Sequence, residues 1–413
     1  MNLYVKKIAL GAAMVAVIAF TALAMWFLFF RSSGTPVPNP SGTVVQNSQS
    51  FTTNSNRTQT GNTQTTNGQV DTTHVPDQKI FKLADGPVMG ATFVQTHNPT
   101  TTLARYVMQD SGHVFDIPVN VPGAIARVIS NTTIPGLASS VWFSNGGASI
   151  IEYAEAGVIK TVYLGFSATS SAIQNVQVRF LPNGILGLAA SPDGKNIVYL
   201  LPTGSGVTGY KANSNGTIVS TLFYTPLTQV LVSWPATTTI LLQTKEATGV
   251  PGIAFSVSSV TGEMRPFMYA PSLSATANAQ FSKVVYQTSL TGLPRTTYSH
   301  DTNSGKDLEL PFNPLPEKCI WSPLYTAGLF CAAPLDGTPS NYLDLWHEGV
   351  WGGADSIFAF DIARGISTVV ALPGGRQGGV AGDVAALAVS PDGQYLLFIN
   401  KGDRTLWGVR LAQ

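Results

Sequence analysis

Apolar positions fall into three regimes along the chain. Residues 8–30 form an unbroken, uncharged apolar run. At about 1.5 Å per residue it is long enough to cross a hydrocarbon core of about 30 Å as one helix. Lys6 and Lys7 precede the run and Arg31 follows it. The positive-inside bias therefore predicts a cytoplasmic segment over residues 1–7, a single-pass signal-anchor over 8–30, and everything after it outside the cytoplasm. The alternative is a signal peptide cleaved after Ala22-Leu23-Ala24. The apolar run continues through 25–30, beyond the usual h-region of about 7–15 residues, which favours a retained anchor. The second regime is polar: of the 45 residues from 32 to 76, 28 are Ser, Thr, Asn or Gln. Such a stretch cannot bury enough apolar surface to offset its chain entropy, so 31–77 reads as a disordered linker.

The third regime begins at residue 78 and runs to 413. Short apolar runs rich in Val, Ile, Thr, Tyr and Phe alternate with Gly, Pro, Asn and Asp, which predicts strands joined by tight turns. Two stretches are near copies: an apolar strand, then Ser191-Pro192-Asp193-Gly194, then a second strand, and the same around Ser390-Pro391-Asp392-Gly393. Pro presets φ at the first turn position, Asp caps the turn, and Gly takes the left-handed position. Weaker copies centre on Val94, Trp142, Trp234, Phe281 and Trp321. With Ala190 and Val389 the centres recur every 40 to 48 residues, except for 68 between the last two. Units of this length with about four strands predict an all-β propeller. Seven centres predict seven blades. Six or eight are the alternatives, depending on whether the long gap holds an insertion or a further partial blade. The last unit carries only three strands, so the run at 78–84 is expected to add its outer strand and close the ring, which removes an exposed sheet edge.

The turns at 191 and 390 resemble the repeats of the TolB-like, WD40-like bacterial propellers, also called PD40 repeats. The resemblance covers roughly residues 78–413, carried by two of the seven turns, and the Gly-His and Trp-Asp pairs of true WD40 blades are missing. It implies an extracytoplasmic binding scaffold of the cell envelope. Related propellers precede the hydrolase domain of prolyl-oligopeptidase-type peptidases; no α/β domain is expected to follow here.

Composition narrows the chemistry. Charged residues are 11% of the chain and the net charge is +1, from 23 basic and 22 acidic residues, so there is no basic field for nucleic acid. The five histidines are His74, His97, His113, His300 and His347. His347-Glu348 opens like a zincin motif, but Trp351 stands where the second histidine belongs, and no helix is predicted there. There is no Gly-x-Ser-x-Gly elbow, phosphate loop or calcium-loop spacing, so no catalytic residue, metal site or cofactor is predicted. The glycine-rich 373–379 reads as an inter-blade loop. Asn131 and Asn215 fit the glycosylation pattern, which is too short to weigh. Trp142, Trp234 and Trp321 hold one repeat position and read as inter-blade core.

Two features in the long sixth unit stand out. The aromatic stretch 341–351 offers Tyr342, Trp346, His347 and Trp351 as ligand-binding candidates, with large rigid surfaces suited to peptide or sugar. In the other reading, Trp346 and Trp351 fold back to plug the channel or cover neighbouring blades. Cys319 and Cys331, the only cysteines, are equidistant from a turn at Tyr325, so a hairpin would oppose them as a disulfide. The alternative is a pair of buried thiols. These readings lead to a membrane-tethered, extracytoplasmic, non-catalytic platform for envelope or surface proteins. The alternative is a glycan or small-ligand receptor using the aromatic insertion; an enzyme with residues converging on the channel comes third. Oligomeric state is not legible.

Overall fold

The computed structural model describes residues 79–94, 101–166, 176–335, 337–372 and 382–411. The anchor at 8–30, the linker at 31–77, His74, His97 and the glycine-rich 373–379 lie outside the described residues. Among the described residues, no helix is long and apolar enough to cross a membrane.

Seven four-stranded antiparallel sheets follow one another as the blades of a propeller. Blades 1 to 6 comprise residues 88–130, 137–180, 187–225, 230–271, 274–309 and 319–371. Blade 7 combines Val384–Val389, Tyr395–Asn400 and Leu406–Arg410 with Ile80–Ala84 from the other end of the domain. Ile80 pairs with Val409 and Lys82 with Trp407, so the expected N-terminal closure is the observed one. Seven apolar clusters, each shared between neighbouring blades, form the core; one joins blade 7 (Leu397, Ile399) to blade 1 (Val88, Phe93). The ring is therefore sealed by the same packing all the way round.

The repeat phase read from sequence holds. Val94, Trp142, Ala190, Trp321 and Val389 end the first strand of their blades. Trp234 lies within Val230–Ala236. Phe281 is displaced: its blade has a short first strand, Ser274–Ala277, and Phe281 sits in the following turn at φ 54°. Three polar contacts repeat the period between neighbouring blades. Ser144 Oγ donates to the Pro192 carbonyl at 2.7 Å, Lys211 Nζ to that of Ser259 at 3.0 Å and Asn278 Nδ2 to that of Thr326 at 3.0 Å, each across 48 residues. In the strongest turn Ser191 Oγ donates to Asp193 Oδ1 at 2.6 Å, holding that carboxyl below its usual range, and Gly194 takes φ 68°. These turn residues are structural.

The long gap holds an insertion, not an eighth blade. It leaves blade 6 after Gly328–Pro334, returns at Asp355–Asp361, and contains one short helix, α1 (Tyr342–His347). No helix was expected at His347. Six residues are too few to show a helical period, and so short a helix stands only on tertiary contacts. In the same blade Cys319 pairs in register with Cys331, and the two form a disulfide with Cα atoms 4.1 Å apart.

Candidate functional site

In a meander blade the turns between strands one and two, and three and four, open on one face of the ring. The loops between strands two and three, and the links between blades, open on the other. The blade 6 insertion belongs to this second face. So do the blade 4 loop bearing Glu246, the blade 5 loop bearing Arg295, the link bearing Glu317 and Lys318, the link bearing Asp383, and the blade 7 loop bearing Lys401.

Helix α1 is pinned to this face from several blades. Tyr342, Leu343 and Trp346 are buried together with Leu315, and Trp351 and Ala385 pack against them. The Trp346 indole N–H donates to both carboxylate oxygens of Asp383, at 2.8 and 3.0 Å, and Lys401 lies over its ring at 3.7 Å. Asp344 accepts from the Thr248 amide of blade 4 at 3.0 Å, and the Arg295 guanidinium of blade 5 lies 4.5 Å from the Tyr342 ring. Beneath the helix, Lys318, 1% exposed, donates to Asp355 Oδ2 at 2.8 Å and to Asp383 Oδ1 at 2.5 Å. Burial alone would pull the Lys318 ammonium down; attraction to Asp355, Tyr342 and Asp383 outweighs it and holds the ammonium above its usual range. Burial pushes Asp355 up to about 6 against the opposing pull of Lys318.

This geometry corrects the recognition surface expected from the aromatic stretch. Tyr342 is 1% and Trp346 8% exposed, so their ring faces meet protein cations and core, not ligand. The fold-back reading, made for Trp346 and Trp351, describes Trp346, and half-buried Trp351 packs edge-on to the Tyr342 ring at 4.7 Å. His347 differs: at the end of α1 its side chain is 39% exposed, and Nε2 lies 3.0 Å from Glu317 Oε1 and 3.2 Å from Glu246 Oε1. Hydrogen bonds to Glu246 and then Glu317 push the imidazole up to about 9. The Glu246 side chain is 5% exposed, and its Oε2 is buried without a hydrogen-bond partner among the described residues. The three groups stand on a cleft of about 540 Å³ whose walls carry Glu246, Glu317, Asp344 and Glu348 against Lys245 and His347. The cleft is acidic. A larger groove, about 1280 Å³, runs beside blades 6 and 7 past Tyr325, Ile366 and Val369; its charges are scattered and converge on nothing.

Sequence reasoning found His347 and missed Glu246 and Glu317. They lie far apart in the chain, and only the propeller's loop order places them on one face. That order, once seven blades are assigned, is the signal that could have found them.

No protein-family profile matches the chain, and no curated protein does. Solved structures share its fold. The xyloglucanase of Xanthomonas campestris superposes with a TM-score of 0.52 at 12% identity, over 81% of this chain and 54% of that one. An oligogalacturonate lyase in complex with manganese gives 0.48 at 14% identity, over 80% and 99%. TolB of Acinetobacter baumannii gives 0.42 at 11% identity, over 80% and 66%. The chain thus spans about half of the xyloglucanase. At these identities the likeness is one of fold, and it agrees with the propeller that the TolB-like resemblance implies. Because the xyloglucanase is an enzyme on this fold, a propeller does not imply a non-catalytic role. The expected non-catalytic interaction platform is overturned, and of the rings expected to form the aromatic receptor Tyr342 and Trp346 are buried while Trp351 is half-buried against Tyr342.

Proposed function

We propose that this is an extracytoplasmic propeller, tethered by a signal-anchor at 8–30 and a linker at 31–77, whose insertion face takes a positively charged ligand in the acidic cleft. Residues 78–413 are the folded domain in this reading. The anchor is supported by the apolar run and by the Cys319–Cys331 disulfide, since such bonds persist in oxidising compartments. The cleft assignment rests on one observation above the others: the buried Oε2 of Glu246, which has no hydrogen-bond partner among the described residues. A buried carboxylate oxygen left without a donor is costly, and a bound cation removes that cost.

Calorimetric titration of the full chain with a panel of cationic probes (spermidine, guanidinium and divalent metal ions) tests the cleft. At least one probe binds the wild type, and Glu246→Gln loses it. Absence of binding by every probe, or binding that survives Glu246→Gln, overturns the reading. Carbonate washing tests the anchor: the full chain stays with the membrane, and release of a soluble chain beginning near Met25 contradicts it.

A further inference from the structure

We propose that the charged ligand of the cleft is a divalent transition-metal ion held by Glu246, Glu317 and His347. This rests on the reading of the cleft as a cation site and narrows it. Each of the three residues offers one donor atom, and these atoms all lie within 4.8 Å of one another. Ligands bound at about 2.1 Å in an octahedral sphere are about 3.0 Å apart when adjacent. The imidazole nitrogen stands 3.0 and 3.2 Å from the two carboxylate oxygens, close to the spacing of adjacent ligands, so an ion entering here displaces the Nε2 proton those carboxylates now share and takes the three donors with little rearrangement. The other oxygen of Glu246, Oε2, is buried with no hydrogen-bond partner among the described residues.

The donor mix selects among cations. An organic ammonium group is met well by carboxylates alone. One imidazole nitrogen with two carboxylates suits Zn²⁺, Mn²⁺ and their first-row neighbours better than Ca²⁺ or Mg²⁺, which take oxygen ligands throughout. The donors come from three elements: the blade 4 loop, the turn Pro316–Lys318 held down by buried Lys318, and the end of α1 held by Trp346 on Asp383. They brace one another: Lys318 and Trp346 both donate to Asp383, and Asp344 of α1 accepts from the Thr248 amide of the blade 4 loop. Three protein donors leave coordination positions open towards the cleft, as in metal centres that bind or activate a further ligand.

The test uses full chain stripped with chelator and dialysed against Zn²⁺ or Mn²⁺ alone, with bound metal counted by mass spectrometry and the cobalt-substituted protein examined by absorption. Wild type binds one equivalent. His347→Ala and Glu246→Gln each weaken binding by at least about 100-fold, more than loss of an outer-sphere partner costs. His113→Ala, in blade 1, leaves binding unchanged, and far-ultraviolet circular dichroism shows that the variants fold. In the cobalt protein, His347→Ala also changes the visible d–d bands. Metal bound equally by wild type and both variants overturns the inference. Failure of Zn²⁺ and Mn²⁺ to bind, while spermidine still binds through Glu246, overturns the metal and leaves the cation cleft standing. Failure of both probes removes the two readings together.

Discussion

Lys318 and His347 show at the residue scale how the insertion face manages charge. A lysine 1% exposed is tolerable because Asp355, itself 0% exposed at the side chain, and Asp383 both accept from it. Removing one member of a buried pair leaves the other charge uncompensated. Lys318→Met is therefore expected to lower stability by about 3–5 kcal/mol in chemical denaturation, and an unchanged midpoint would contradict the pairing. His347 has a folded-state pKa of about 9, above its ordinary 6.5, because two glutamates hold its proton. A base raised in this way adds stability that is fully present below about pH 6.5 and is lost as pH rises through 9. With a side chain 39% exposed, solvent screens the interaction, so the loss amounts to less than about 1 kcal/mol. Chelator-treated protein should melt at slightly lower temperature at pH 9.5 than at pH 6.5, and His347→Gln should remove that difference. A melting temperature that rises with pH in wild type alone would show the sign to be wrong.

Elements differ in how far the sequence announces them. The turns at 191 and 390 were legible because Pro, Asp and Gly each serve one backbone requirement, and Gly194 and Gly393 do take positive φ. The cysteine pair was legible because two residues placed symmetrically about a turn must face each other in a hairpin. Helix α1 was not legible: its apolar residues are those of a strand or a loop plug, and its stability comes from Asp383, Lys401 and Arg295, contributed by other blades. Glu246 and Glu317 carry no local motif for the same reason. The hairpin prediction is quantitative. Replacing both cysteines with alanine releases a loop of about 13 residues and should cost up to about 3 kcal/mol, read from denaturation of the variant beside the wild type. Intact mass after alkylation checks the bond itself: two alkylations before reduction would mean that it does not form.

At the scale of the whole molecule, the ring depends on its outermost strand. Ile80–Ala84 supplies the fourth strand of blade 7, and Ile80 packs in the core shared by blades 6 and 7. A chain beginning at Gly86 bares the edge of Leu406–Arg410 and should lose cooperative unfolding or aggregate; melting equal to that of a chain beginning at Gln78 would contradict the closure. A closed ring also fixes which loops share a face, and that shared face is what brings Glu246, Glu317 and His347 together from distant parts of the sequence. The claim that this face does the protein's work is tested most directly by anomalous diffraction from crystals of the protein grown with Mn²⁺. The account predicts one strong peak bounded by Glu246, Glu317 and His347. A well-phased map with no peak there, or with peaks only elsewhere on the propeller, would contradict it.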